Sequence, residues 1–268
     1  MIVYLNGRFV PEEQACVSIH DRGFLYGDGI FETIRIYDGT PFLWREHLDR
    51  FHAGCRCLRI APPLGDSEML ECVAELSRVN SLSNAMTRIA LTRGVGPRGY
   101  SPRSANHPTL CVALFPPTSR PASYKVVTAS MCLPADDPLA QFKHGNKLRQ
   151  VLARAEADEA GADEALMLND RGEVVEGTST NVFWIEEDTL CTPPLNGILP
   201  GTTRGYLVRR AESLGICTRE ASITLPELLH RSGVFVSSTG IEVMEVSHIN
   251  QHTIPFSPIT QRLRKEYR

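Results

Sequence analysis

Apolar and polar residues alternate with a period of two over several short stretches of the chain and recur at helical spacing over others. Val3-Tyr4-Leu5 and Arg8-Phe9-Val10 flank Asn6-Gly7, a dipeptide that readily takes the positive backbone angles of a tight turn, so the chain is expected to open with a β-hairpin. Residues 30–37 alternate and run into Asp38-Gly39, a second turn. Over residues 44–59, Leu43, His47, Leu48, Phe51 and Leu58 form an imperfect apolar stripe, and residues 66–79 suggest another helix. Strands are expected over 86–92 and 109–115. The stretch Pro116-Pro117-Thr118-Ser119-Arg120-Pro121 is poor in helix and strand formers and reads as a connector.

Beyond the connector, Leu148, Val151, Leu152 and Ala155 recur at helical spacing, and Gly161 is placed to end that helix. Strands over 165–168 and 181–185 flank the Asp170-Arg171-Gly172 turn, helices are expected over 203–213 and 225–230, and Val234-Phe235-Val236 is an apolar strand. The pattern is mixed α/β (α+β), with hairpins in place of a strict βαβ alternation, so a doubly wound nucleotide fold is not expected. Two domains follow: residues 1–116 as a smaller N-terminal α/β domain, 117–122 as the connector, and 123–268 as a larger C-terminal α/β domain. The tail from Gln261 to Arg268 reads as a solvated helix end.

Composition changes this picture little. The 268 residues, 42% hydrophobic and 22% charged, suit an ordinary globular protein. A net charge of −3 and scattered arginines give no reason to expect a nucleic-acid partner. The eight cysteines show neither metal spacing nor a disulfide framework and read as free thiols. The first residues lack a basic segment followed by an apolar run, and no apolar stretch reaches the about 18 residues of a membrane helix, so a cytoplasmic location without membrane association is expected. The histidines form no metal spacing, and no metal is expected.

Candidate chemistry centres on Lys143, in Phe142-Lys143-His144-Gly145-Asn146-Lys147-Leu148-Arg149-Gln150, and on Glu176, which opens Glu176-Gly177-Thr178-Ser179-Thr180-Asn181. A lysine that carries pyridoxal 5'-phosphate (PLP) needs an acidic partner at the pyridine nitrogen, which keeps the ring an electron sink. Such a site also needs a cradle for a dianionic phosphate. Pro200-Gly201-Thr202-Thr203-Arg204 precedes a helical pattern and would offer free backbone N–H groups. Thr239-Gly240 follows an apolar strand, and Arg50 adds a cation. Each has an ordinary alternative: a capped helix, a strand-to-turn junction, a surface arginine. Arg98, in the turn-rich run Thr92-Arg93-Gly94-Val95-Gly96-Pro97-Arg98-Gly99-Tyr100, could grip a carboxylate. The glycines of that run superficially match a dinucleotide fingerprint, but no helix-forming segment follows. Gly27-Asp28-Gly29 reads as a turn.

These segments, in this order, resemble the fold-type IV PLP enzymes: branched-chain aminotransferases, D-amino acid aminotransferases and 4-amino-4-deoxychorismate lyases. The resemblance covers residues 3–246 and rests also on Asp21-Arg22-Gly23, Gly27-Asp28-Gly29-Ile30-Phe31-Glu32-Thr33, His47-Leu48-Asp49-Arg50 and Ser238-Thr239-Gly240-Ile241-Glu242-Val243. It implies a two-domain, D-amino acid aminotransferase-like fold in which Lys143 is the Schiff-base lysine and proton shuttle and Glu176 the partner of the pyridine nitrogen. Arg50, Thr203 and Thr239 would bind the phosphate with backbone groups of Thr202 and Gly240. Phe31, Arg98 and Tyr100 would meet a small-molecule amine substrate. Homodimers are typical of the family, and the Arg98 loop would then serve the neighbouring subunit.

Within the family, Asn146 three residues after Lys143, Arg98-Gly99-Tyr100-Ser101 and Thr33 resemble the lyases, and Phe31 stands where the best-known D-amino acid enzymes have tyrosine. The resemblance therefore implies an aminodeoxychorismate lyase of folate biosynthesis, with Thr33 as a second catalytic residue. Glu176-Gly177-Thr178-Ser179 and Thr239-Gly240-Ile241-Glu242 are closer to aminotransferases. They keep open an aminotransferase acting on D-amino acids or branched-chain amino acids with 2-oxoglutarate.

Overall fold

The structure is a computed structural model that describes residues 1–268, and it divides into two compact units. The first comprises Met1–Thr118 together with Phe142–Asn146. Its elements are β1 (Ile2–Leu5), β2 (Arg8–Pro11), α1 (Arg22–Tyr26), β3 (Gly29–Tyr37), β4 (Thr40–Pro41), α2 (Trp44–Leu58), α3 (Asp66–Val79), β5 (Ala85–Thr92) and β6 (Thr109–Phe115). The first two hairpins turn where expected, with positive φ at Asn6 and Gly7 and at Asp38 and Gly39. The strands form an antiparallel sheet in the order β2-β1-β6-β5-β3-β4.

Alternation along β3 gives its two faces different work. Ile30, Ile34 and Ile36 join Leu48 and Phe51 of α2 and Met69, Val73 and Leu76 of α3 in one core. Phe31 and Thr33 face the other way, across from Ala90 and Arg88 of β5.

The strand β4 pairs only with the far end of β3, at Ile36 and Tyr37, so the near end is an edge. Residues 142–146 pair there: Phe31 N donates to Lys143 O at 2.8 Å and Gly145 N to Gly29 O at 3.0 Å. This corrects the sequence-based boundary, which placed Lys143 in the C-terminal domain. Local patterning carries no sign of a strand partner more than a hundred residues away.

The second unit comprises Ser119–Gln141 and Lys147–Arg268. It contains β7 (Tyr124–Thr128), α4 (Leu148–Glu159), β8 (Glu164–Leu168), β9 (Val174–Gly177), β10 (Asn181–Glu186), β11 (Thr189–Thr192), α5 (Thr202–Ser213), β12 (Cys217–Glu220), α6 (Leu225–Leu228), β13 (Ser232–Ser238), β14 (Glu242–Ile249), β15 (His252–Thr253) and α7 (Pro258–Lys265). The sheet runs β12-β11-β10-β13-β14-β7-β8-β9, and a pairing of Glu176 with Asn181 joins β9 back to β10. Six strands thereby close into a ring, which removes two exposed edges. Val182, Trp184, Val236, Met244 and Val246 fill one core of this unit, and Ala153, Ala157, Ala165, Met167 and Ile198 another.

Two expectations change here. On α4 the buried residues are Ala153 and Ala157, whereas Leu148, Val151 and Leu152 are exposed. Alanine lets the helix approach β8 closely, so the larger apolar residues turn outward. The C-terminal tail is not merely solvated. Leu263 and Tyr267 are buried, and Tyr206 Oη and Arg210 Nε donate to the carbonyls of Tyr267 and Glu266. No helix is long and apolar enough to cross a membrane.

Candidate active site

The first unit brings Lys143, Phe31, Thr33 and Arg50 to neighbouring positions on β3, its edge and α2. The Lys143 ammonium lies 4.9 Å from the centre of the Phe31 ring. Arg88, which sequence reasoning missed, holds its guanidinium 3.9 Å from the same ring centre and sits across the ladder from Thr33. No carboxylate accepts from Arg88. A cation stacked on an aromatic ring beside the candidate lysine suits a carboxylate-bearing substrate. In a strand reading Arg88 is one more polar residue of an alternating run, so its spacing carried no signal.

Beneath this face, Glu32 is a buried hub that sequence reasoning also passed over. Arg50 Nε and Nη2 donate to its two oxygens at 2.8 and 2.7 Å, and His47 Nδ1 lies 2.8 Å from Oε2. Burial alone would raise the Glu32 pKa, but the Arg50 charge and the hydrogen bonds from His47 and Arg50 bring it down to about 2. Burial lowers the His47 pKa, against the pull of Glu32 and with help from the charges of Arg50 and Lys143. Arg50 is therefore not a surface arginine: its guanidinium is fixed by a bidentate pair.

Arg98 and Tyr100 lie on an exposed loop held by a separate network. Arg22, itself buried, donates to the carbonyls of Gly99 and Tyr100 at 2.8 and 3.0 Å and to Asp28 at 2.9 Å. Gly99 N donates to Tyr26 Oη at 2.9 Å, and the Tyr26 and Tyr100 rings meet edge to face. Asp28 also binds Arg93. Burial opposes its ionisation, yet the hydrogen bonds from Arg93 and Arg22 hold its pKa below the ordinary value. The Asp28 turn thus anchors the loop that carries Arg98.

The second unit brings Glu176 together with Thr202 and Thr203 through the segment 199–201. Glu176, at the edge of β9, is buried, and its Oε2 accepts from Leu199 N at 3.3 Å. The turn after it is held from below by Glu164, which accepts from Thr178 N, Thr178 Oγ1 and Thr180 Oγ1. The packing is close enough that a Cβ on Gly177 would lie 2.2 Å from Thr180 Oγ1. Helix α5 begins at Thr202 on Gly201, a cap residue without a side-chain acceptor, so the first turn offers backbone N–H groups and the positive end of the helix dipole. Thr239 and Gly240 form the turn between β13 and β14, which Arg120 secures by donating to Ile241 O and pairing with Glu242.

The donor set fits PLP. One unit offers a lysine beside an aromatic ring and an arginine. The other offers a buried carboxylate, an uncapped helix start and threonine hydroxyls, and two residues before Thr239 the buried Ser237 Oγ has no hydrogen-bond partner.

Residues 29–249 match the family described as Amino-transferase class IV. The chain belongs to the class IV aminotransferases. It is 40% identical over 275 residues to a Methanocaldococcus jannaschii protein provisionally named a branched-chain-amino-acid aminotransferase, covering 100% of this chain and 96% of that one. The aminodeoxychorismate lyase of Bacillus subtilis is 30% identical over 255 residues, covering 93% and 87%, and the D-alanine aminotransferase of Bacillus licheniformis is 33% identical over 258 residues, covering 95% and 90%. The T.th. branched-chain amino acid aminotransferase, solved with pyridoxamine 5'-phosphate, superposes with a TM-score of 0.93 at 30% identity, covering 99% and 92%. PLP is the cofactor of this family, as the sequence resemblance implied, and the mixed α/β architecture is the family's fold.

Proposed function

We propose that this chain is a PLP-dependent aminotransferase acting on branched-chain amino acids with 2-oxoglutarate as amine acceptor. The observation that carries the reading is the 40% identity, over the whole chain, to the relative named for that activity, against 30% to the lyase. The lyase expectation therefore yields to the aminotransferase alternative.

The side chains of the two units offer the groups that transamination requires. When bound, PLP supplies an aldehyde for the amine and a ring that draws in the electron pair left when the α-proton departs. Lys143 would hold the cofactor, and its Nζ would serve as the base that takes the proton from the amine-bearing carbon. Glu176, its carboxylate oriented by Leu199 N, would keep a proton on the ring nitrogen. In the second unit Thr202, Thr203, Thr239 and Gly240 would hold the phosphate, and in the first Arg50, its guanidinium fixed by Glu32, would supply a cation. Phe31 offers an apolar wall to an aliphatic side chain, while Arg88 beside it, with Arg98 and Tyr100 from the loop, suits the carboxylates of the acidic co-substrate.

Leu148, Val151 and Leu152 on α4, Phe24 and Leu25 on α1, and Val17 and Ile19 before it are exposed apolar side chains that a second copy of the chain could cover. They support a homodimer, in which the Arg98 loop serves the partner subunit.

The second reading, elimination from 4-amino-4-deoxychorismate, is favoured by one placement: Thr33 lies on the face of Phe31 and Arg88, where its hydroxyl can relay a proton to a leaving group. The test is a panel run with PLP-loaded protein: L-leucine, L-isoleucine and D-alanine, each with 2-oxoglutarate, beside 4-amino-4-deoxychorismate alone. Glutamate from the branched L-substrates at far higher kcat/KM than from D-alanine, with little 4-aminobenzoate, is the expected pattern. Rapid 4-aminobenzoate and pyruvate formation with little glutamate would transfer the function to the lyase.

A further inference from the structure

Asn181 opens β10, where its Cα pairs with Glu176 of β9 on one side and with Ser237 of β13 on the other. Both polar atoms of its buried side chain address the same three-residue segment. Nδ2 donates to Leu199 O at 3.2 Å, and Leu199 N in turn donates to Glu176 Oε2 at 3.3 Å. Oδ1 presses on Gly201, where a Cβ would fall 1.9 Å from it, closer than any side chain tolerates. Gly201 is the cap of α5 and carries no side chain that could occupy the helix start.

We propose that Asn181 is a positioning residue: by pinning the segment from Leu199 to Gly201, one amide sets both the orientation of the Glu176 carboxylate and the open N-terminus of α5. The inference rests on the reading that Glu176 serves the pyridine nitrogen and α5 the phosphate. Strand pairing uses only the backbone of Asn181 and would leave its side-chain amide without a task. Here its two polar atoms bridge to the loop that carries one donor to the carboxylate and the cap of the helix. Glycine at 201 and asparagine at 181 then form a matched pair, because the amide oxygen occupies the space that a Cβ at 201 would need.

The experiment uses the full chain as Asn181→Ala, Gly201→Ala and the double variant, with Glu176→Gln as a separate control. PLP dissociation constants are measured by titration of the apoproteins, and the protonation of bound PLP labelled with 15N at the ring is followed against pH. Apoprotein melting monitors folding. Loss of one hydrogen bond to a fixed segment corresponds to about fivefold weaker PLP binding in Asn181→Ala. Its ring nitrogen is expected to lose its proton at lower pH than in the parent, a signal that a merely structural role would not move.

Gly201→Ala is expected to weaken PLP more than tenfold beside Asn181 and to add little once residue 181 is alanine, because the clashing oxygen is gone. If Asn181→Ala keeps parental affinity and ring titration, or if the two losses simply multiply in the double variant, the proposal is overturned. A Glu176→Gln protein with parental ring titration would instead remove the reading of Glu176. The Gly201 cycle would still judge the pinning of the helix cap.

Discussion

Replacing Glu32 by glutamine tests the buried pair that fixes Arg50. In the parent, two nitrogens of Arg50 and one of His47 converge on a carboxylate that is 1% exposed. Its pKa falls from 4.5 to about 2, which by linkage makes the ionised form worth about 3 kcal/mol to the folded state. The separate estimate from removing one partner of a buried ion pair, about 3–5 kcal/mol, agrees. Glutamine preserves the shape and removes the charge, so the first unit should lose about 3 kcal/mol at neutral pH.

The pH dependence has a definite sign. A carboxylate depressed in the folded state stabilises fully above about 4.5, and that stability drains away as pH falls toward about 2. His47, lowered by burial, adds a decline of the same direction as pH falls below 6.5. Hydrogen exchange of the β3 and α2 amides, measured against pH, reads this unit without averaging over the other. The Glu32→Gln protein should exchange faster at pH 7, and the gap to the parent should close on acidification. A variant within about 1 kcal/mol of the parent at pH 7, or a gap independent of pH, would refute the assignment of the stabilisation to this charge.

Three further outcomes follow from the same geometry. Lys143→Ala should abolish turnover and leave no PLP fixed to the protein after borohydride treatment; residual covalent labelling would place the lysine elsewhere. Arg88→Gln should raise KM for 2-oxoglutarate about tenfold or more, as loss of a charge-assisted contact implies, while leaving KM for L-leucine nearly unchanged; equal changes in both would remove Arg88 from the acidic subsite. Arg22→Gln should free the Arg98 loop, visible as increased proteolytic nicking between Val95 and Tyr100, and raise KM more than it lowers kcat.

The legible parts of the fold were those with local causes. Asn6-Gly7 and Asp38-Gly39 fix their turns by backbone preference, and α3 runs over the residues its periodicity marked. The strand β14 was missed because Glu242, Glu245 and His248 interrupt any clean alternation, and it is ordered by neighbours on both sides. The strand β9 lies between the Asp170-Arg171-Gly172 turn and the strand expected over 181–185, where no element was expected, and α1 is too short to show a period.

The site divides the same way. Motifs naming Lys143, Glu176 and the α5 start were visible because each is a contiguous string. Glu32 and Arg88 were not, since their meaning depends on partners 15 to 57 residues away: His47 and Arg50 for one, Phe31 across the sheet for the other. Likewise, nothing near Lys143 in sequence indicates that it pairs with the edge of β3.

The most direct test of the central claim is a single half-reaction. PLP-loaded protein is mixed with excess L-leucine and no 2-oxo acid, and the cofactor form and products are quantified. An aminotransferase stops after one turnover, with one equivalent of 2-oxo acid released and the cofactor left as pyridoxamine 5'-phosphate, and 2-oxoglutarate then restores PLP with one equivalent of glutamate. A cofactor that stays PLP with L-leucine, in a preparation that repeatedly turns over 4-amino-4-deoxychorismate, would contradict the account.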